Sequence, residues 1–364
     1  MARNRVIYQS EALYVSDEAD STGAANHKQL QRVQSANYSF NISRQDINQF
    51  SSLARIDSIA LEAPTVAFDT SYYLGDGFNE EVLGFANSSG FNVGFASGHM
   101  TATSGKNLFI VTADEGIDAI NQTTETGSMP VIGLGNAYLT DYTVDASVGA
   151  IPTVSVSFEA ANINAVTDAS GSSSGYSGIE LPSIAQADGT KVGGDCVLPA
   201  ATTGAGSVTA LRPGDVTVSF GTAGNDAIVN IADSSEGAHV QSASLSLSMS
   251  RSPLERLGSR FPFARTVDFP VGASLSVSAI VNEITAENLA DTIDSTNGVD
   301  ITLTFKDAGE SSEVCKYQLK NARLESESFS SSIGSNKTVD LTFSTQVGGP
   351  SDTGNNIFFS GTNS

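Results

Sequence analysis

The most explicit chemical pattern in the chain is a nucleophile elbow. Gly171, Ser173 and Gly175 spell GxSxG, and Asp195 and His239 follow in the order an α/β-hydrolase uses. An elbow needs an apolar strand leading in and a helix leading out, so that the serine is held on a tight turn above a sheet. This serine lies in "GSSSGYSG", where serine and glycine recur by composition, and the match reads as chance. A second cluster, Asp76, Glu80 and Glu81 in "LGDGFNEEVLGF", brings carboxylates together as a calcium site or a glycosidase pair would. The spacing fits no EF-hand loop, and Asn79-Glu80-Glu81 equally opens a helix with acids at its positive end. His27, His99 and His239 have no partner at metal-ligand spacing, and Cys196 and Cys315 form no CxxC. These residues predict no catalytic centre, no metal and no cofactor, in a protein that is not an enzyme.

The elements that position such residues are legible from composition. The chain has 364 residues, no Trp, abundant Ser, Thr and Gly, and apolar residues that are mostly Val, Ile, Leu, Phe and Ala. That mixture predicts a mainly β protein of two domains. The formal net charge is −22, and between Ile56 and Thr190 sixteen acids face one base, Lys106. Such a chain repels phosphate, which argues against nucleic-acid binding through a basic patch. "MARNRVIYQSEALYVS" lacks the apolar core of a Sec signal, and no apolar run approaches the ~20 residues of a membrane span, so folding in a cytoplasm is expected.

One strand is written twice. "VQSANYSFNISRQD" from Val33 returns as "VQSASLSLSMSRSP" from Val240. In both, apolar residues (Ala36, Tyr38, Phe40, Ile42; Ala243, Leu245, Leu247, Met249) alternate with Ser or Asn, the period of a half-buried strand. The same offset of 207 lays Val66, Phe68, Thr70 and Tyr72 over Ala273, Leu275, Val277 and Ala279. A later block, "NAYLTDYTVDASVGAIPTVSVSF" from Asn136, overlies "NARLESESFSSSIGSNKTVDLTF" from Asn321 at an offset of 185, and reads as a hairpin turning at Gly149 and Gly334. The fall in offset assigns about 22 extra residues to the first copy, placed in a long exposed loop over Gly84 to Lys106.

The expected domains are 1–166 and 208–364, with a Gly/Ser-rich connector over 167–207 that is flexible or orders only on assembly. "DVTVSFGTAGNDAIVNIAD" opens the second copy as a hairpin, with "NRVIYQSEALYVS" as its counterpart. Short helices are expected at "SPLERLG", where Ser252, Pro253, Glu255 and Gly258 resemble a capped turn, and at "TAENLADTI" from Thr285. Another is expected at "SRQDINQFSSLA", where Ile47, Phe50 and Ala54 would share a face.

The polar strand faces are unusual in what they lack. They carry Ser, Thr and Asn with an occasional Asp, and almost no Lys, Arg or Glu. A plain solvent-facing sheet is one reading. The other is a wall past which a polyanion slides: duplex DNA carries a charge every ~1.7 Å, so a few lysines would hold it. Repulsion from acids reaches only about 8 Å at physiological salt, which suits lubrication better than steering.

Together "VQSANYSFNISRQDINQFSSLARID", "TSYYLGDGFNEEVLGF" and "NAYLTDYTVDASVGAIPTVSVSFEAANI" resemble tailed-bacteriophage tail tube proteins. The resemblance covers most of the chain and is closer in the first copy. It implies tandem tail-tube-type β-sandwich or barrel domains with short helices, whose inner strands join those of neighbours into a barrel around a lumen. Stacked rings would form the virion tail tube, assembled in the host cytoplasm, filled by a tape-measure protein and later passed by viral dsDNA. Sheath, baseplate and tail terminator proteins would be further partners, with no membrane. Most members have one tube domain and hexameric rings. Two domains here imply three chains in a pseudo-sixfold ring. The lumen-facing candidates are Ser35, Asn37, Ser39, Asp69, Ser242, Ser244, Ser246 and Ser276. The rival readings are an acidic surface-layer or adhesin-like β-repeat protein, and an enzyme on a β scaffold. The first should show a signal peptide or calcium motif, and the second aromatic platforms.

Overall fold

Alternating segments become strands because only an extended backbone sends successive residues to opposite sides. The computed structural model describes residues 11–18, 23–113, 119, 128–172, 175–185, 188–202, 211–220, 229–230, 240–280, 283–284, 298–307, 312–331 and 337–362. It is mainly β, and every described strand pair is antiparallel. The first half carries β1 (Ala12–Asp17), β2 (Lys28–Gln29), β3 (Val33–Asn41), β4 (Arg44–Ile47), β5 (Asp57–Ala60) and β6 (Thr65–Tyr73). Two helices follow, α1 (Phe78–Leu83) and α2 (Ser97–Thr101), then β7 (Lys106–Val111), β8 (Ser128–Ser147), β9 (Thr153–Ala160), β10 (Asn162–Ser172), β11 (Gly175–Glu180) and β12 (Asp195–Leu198). The second half carries β13 (Val216–Phe220), β14 (Val229–Asn230), β15 (Val240–Ser248), β16 (Arg251–Leu254), β17 (Ala264–Val267) and β18 (Val271–Ile280). It ends with β19 (Glu283–Ile284), β20 (Val299–Lys306), β21 (Glu313–Ser330), β22 (Thr338–Val347) and β23 (Ile357–Gly361).

Strand pairing repeats in register. Ser35 faces Ser71 and Asn41 faces Thr65; 207 residues on, Ser242 faces Ser278 and Ser248 faces Gly272. Both ladders slip at the same step, after Val33 and after Val240. The long strands β8 and β21 repeat too. Each passes through an asparagine in the left-handed conformation, Asn136 (φ 53°) and Asn321 (φ 52°), a bend that Asn tolerates better than most residues. Before the bend β8 pairs with β7 and β10, and after it with β9 and β15. Likewise β21 pairs first with β20 and β23, then with β22. The pairing β8·β15 fuses the halves into one eight-stranded layer in the order β3-β6-β9-β8-β15-β18-β22-β21. Its apolar face packs on the remaining strands through one core that includes Phe68, Phe158, Leu245, Leu275, Phe343 and Tyr317. Among the described residues no set of strands closes a barrel within the chain.

Several expectations are corrected. The residues read as a helix over Ser43–Ala54 begin with β4, which pairs β5 as Arg44↔Ala60 and Ile47↔Asp57; Ile47 and Phe50 are exposed, so no buried face rewards a helix. "SPLERLG" begins in β16, where Pro253 pairs with Arg265 in a two-stranded ribbon whose open edge tolerates a missing N–H. Among the described residues the expected hairpin at Asp215 does not form: β13 pairs β20, and β14 pairs β19. Its counterpart β1 correspondingly pairs β7. The Gly/Ser-rich segment is partly stranded, since β11 and β12 form a hairpin continuing β10 and shelter a second core with Tyr14, Phe109 and Cys196. The stretch from Thr285 and the turn at Gly334 lie outside the described residues.

The Gly84–Lys106 segment is not an exposed loop. Phe85, Phe95, Ala96, Ser97 and His99 are buried, because they fill the seam between the halves. Phe85 stacks on Phe95 at 4.2 Å, and Phe95 meets Tyr142 of the first half at 5.1 Å and Tyr317 of the second at 5.8 Å. Its backbone extends the contact: Phe95 N–H donates to the Ile357 carbonyl at 2.8 Å and Ser88 N–H to that of Phe359 at 3.0 Å. The extra residues are also divided. Leu108 faces Leu134 where Ile301 faces Leu319, an offset of 193 on β7, so some lie before β7 and the rest between β7 and β8.

Candidate functional site

The face of the eight-stranded layer opposite the core is built of short polar side chains. One rung crosses seven strands as Ser35, Ser71, Ser155, Thr143, Ser246, Ser274 and Ser344. Arg323 of β21 ends it. The next rung on one side runs Asn37, Asp69, Ser157, Asp141 and Ser248. On the other side Thr153, Asp145, Ser244, Ser276 and Thr342 are in line, and beyond them Ser147, Ser242, Ser278 and Asp340. Opposed hydroxyls satisfy one another: Ser35 and Ser71 Oγ lie 2.6 Å apart, Ser246 and Ser274 Oγ 2.8 Å apart. The carboxylates are anchored by serines, Ser157 donating to Asp69 at 2.6 Å and Ser244 to Asp145 at 2.5 Å.

Ser35, Asn37, Ser39, Asp69, Ser242, Ser244, Ser246 and Ser276 therefore share one face of one sheet. Ser39 stands one step beyond Asn37, opposite Ala67. The sequence reading overlooked the acids Asp141 and Asp145 of β8, because the join β8·β15 cannot be seen from either copy alone. It also overlooked Arg323, a base at the layer's margin. Such a face offers hydroxyls and a few carboxylates, two of which accept from serine hydroxyls.

The chemically conspicuous residues lie elsewhere. Glu80 of α1 points into the seam and is buried, while Glu81 is exposed, so the pair does not converge on a cation. Tyr72 donates to Glu80 Oε1 at 2.9 Å and Tyr142 at 3.2 Å, and the Tyr142 and Tyr317 hydroxyls are 2.7 Å apart. Burial raises the Glu80 pKa, opposed by these hydrogen bonds, and burial raises the three phenols further, keeping them donors. His99, also buried in the seam, is lowered to about 3 by burial and by Lys106 and Arg251. His27 is lowered by burial and takes a 3.0 Å contact from Nδ1 to the Gly23 carbonyl. Cys196 is pushed up to about 12 by burial, and Cys315 is also raised, so both thiols are poor nucleophiles. Ser173 and His239 lie outside the described residues. Among the described residues no three of His, Cys, Asp and Glu gather where they could hold a metal. No helix there is long and apolar enough to cross a membrane.

No family model and no curated protein matches the chain. Solved structures match in part. The tube terminating cap of an anti-feeding prophage aligns over 37% of this chain and 87% of its own, with 13% identity and a TM-score of 0.26. The anti-feeding prophage baseplate aligns over 40% and 91%, with 16% identity and a TM-score of 0.24. Likenesses this weak decide neither fold nor function.

Proposed function

We propose that the chain is a structural protein of a phage-type virion tail, two tandem tube domains that associate as rings and stack into the tube through which the genome is ejected. The observation that carries this reading is the continuous layer made by β8·β15, with a buried apolar face and an outer face of serine, threonine and aspartate. A layer that crosses two domains in one chain can cross further chains in the same way and close on itself, leaving no edge. Turned inward, the hydroxyl face gives a wetted wall with scattered acids, past which a polyanion moves without binding. Three chains supply six domains to such a ring. A tape-measure protein would occupy the lumen before dsDNA passes.

Electron microscopy of the purified chain, with averages viewed down the particle axis, tests the reading. Hollow rings or tubes with threefold symmetry and six lobes are expected. Solid fibres or flat lattices at all concentrations would favour a surface-layer-type array and overturn it. Within assembled tails, Ser244→Lys with Ser246→Lys should leave ring formation intact and slow DNA release at least tenfold at low salt. Unchanged release would mean that this face does not line the path.

A further inference from the structure

The chain contains one finished joint and, at its two ends, the separated parts of the same joint. In the finished joint β8 pairs β15, and the β16–β17 hairpin of the second half lies over the bend of β8. There Arg251 donates to the carbonyls of His99 and Ala102, and Arg265 pairs with Glu159. Phe261 and Pro262 fill the space beside Asn136, Tyr138 and Ala161, leaving about 20 Å³. The register-matched cleft of the second half, at Asn321, Arg323 and Gln346, holds about 790 Å³. Likewise the groove beside Val240–Ala243 is closed to about 30 Å³ by Ala146 and Ser147 of β8 and by Val148 just after it. Its counterpart beside Val33–Ala36 holds about 520 Å³.

The side chains tell the same story. Leu245 and Leu247, on the strand paired with β8, are 2% and 1% exposed; Tyr38 and Phe40, at the matching places on β3, are 42% and 55% exposed. Phe329 of β21 is 46% exposed where Val144 of β8 is buried. The β4–β5 hairpin has the register of β16–β17 (Arg44↔Ala60 beside Arg251↔Val267), and the tips of both point away from the chain, Phe50 being 101% and Leu257 104% exposed. Folding alone does not leave so much apolar surface on two matched edges.

We infer that a second copy of this chain occupies both clefts. β3 of one copy pairs antiparallel with the part of β21 after Asn321 in the next, and the β4–β5 hairpin of the first seats in the cleft at Asn321 and Arg323. Transferring the internal register, in which Ser244 faces Asp145, Leu245 faces Val144 and Ser246 faces Thr143, sets Asn37 opposite Ser330, Tyr38 opposite Phe329 and Ser39 opposite Ser328. Arg323 takes the place of Tyr138, and the cleft answers with Glu325 and Asp352, facing a hairpin that brings Arg44 in the place of Arg251. Glu327 replaces Tyr142, so one apolar contact of the inner joint is absent from the outer one. The inference rests on the inner joint and stands whether the assembly is a tube or another closed array.

Cysteine pairing reads the register directly. The full chain carrying Ser39→Cys and Ser328→Cys is oxidised under assembling conditions; the native thiols are buried. Covalent multimers on non-reducing gels are expected from the double variant and from neither single one. The control pair Asn37→Cys with Ser326→Cys, four residues out of register and so about 13 Å apart along the strand, should give at least tenfold less. Equal yields from both pairs, no cross-link in multimers that form, or a wild-type chain that stays monomeric at millimolar concentration would each overturn the inference. Arg44→Glu, at an exposed side chain that stands in the place of Arg251, should reduce assembly at least tenfold by sedimentation while the circular dichroism and melting temperature hold. Wild-type assembly by that variant would remove the hairpin from the interface. Tubes cross-linked in a different register would sink this joint and keep the tube.

Discussion

Asn136 and Asn321 hold the same left-handed backbone at the same step of two long strands, and each is approached so closely by a glycine that a Cβ would sit under 3 Å from it, Gly105 in one half and Gly298 in the other. Their side chains are used differently. The Asn136 amide donates to Glu18 at 2.6 Å and to the Ile184 carbonyl at 3.1 Å, while its oxygen accepts from Ile184 N–H at 2.8 Å. Asn321 reaches only exposed Asn355 with its amide, and its N–H is held by Asp300 at 3.0 Å. The halves thus share a ladder and differ in what is laid on it. The first adds a β11–β12 cover and the seam filler around Phe95. The second contributes the surface that receives the filler, Tyr317 and Phe359.

The sharpest way to break this asymmetry is Phe95→Ala. It should cost about 3–5 kcal/mol, because the ring is buried between the halves and both lose contacts. Denaturant unfolding should also lose cooperativity, the halves melting apart; a single unchanged transition would show that the filler is not what couples them. Next, Asn136→Ala should destabilise more than Asn321→Ala, by about 1–3 kcal/mol, since only the first strands a buried Ile184 N–H and carbonyl. Equal losses would place the whole cost in the backbone conformation.

The smallest effect is one of pH. Glu80 has a raised pKa in the fold, mainly through burial. Above the ordinary value of 4.5, and up to the raised value, the native state holds a proton that the unfolded chain has released. Stability from this group is complete below that window and falls as pH rises through it. Glu80→Gln should flatten the decline while keeping an acceptor for Tyr72 and Tyr142. Denaturation midpoints from pH 4 to 8 would show it, and parallel curves for both proteins would mean that Glu80 does not titrate there.

The sequence was informative where one face is buried and the other wet. Ala36 to Ile42 and Ala243 to Met249 announce their strands, and the offset of 207 carries their pairing register without error. The helix in "FNEEVL" was legible for its acids in the first turn. Elsewhere local rules misled. Ile47, Phe50 and Ala54 have helical spacing, but spacing reports amphipathicity only when something covers the face, and none of the described residues does so here. The Gly84–Lys106 segment was assigned to solvent from its glycines; its phenylalanines at 85, 91 and 95 were the better signal, because a solvent loop has no use for three rings. The shared polar face could be listed residue by residue, yet its continuity across the halves depends on β8·β15, a contact between strands that do not resemble each other.

The β8·β15 ladder has a kinetic side. Its two strands are joined by their own backbone, so their meeting does not depend on the concentration of the protein. The edges β3 and β21 have no such tether and depend on encounters between molecules. Dilution therefore acts on one kind of seam and spares the other, and a particle built from this chain would come apart into whole chains with their halves still joined.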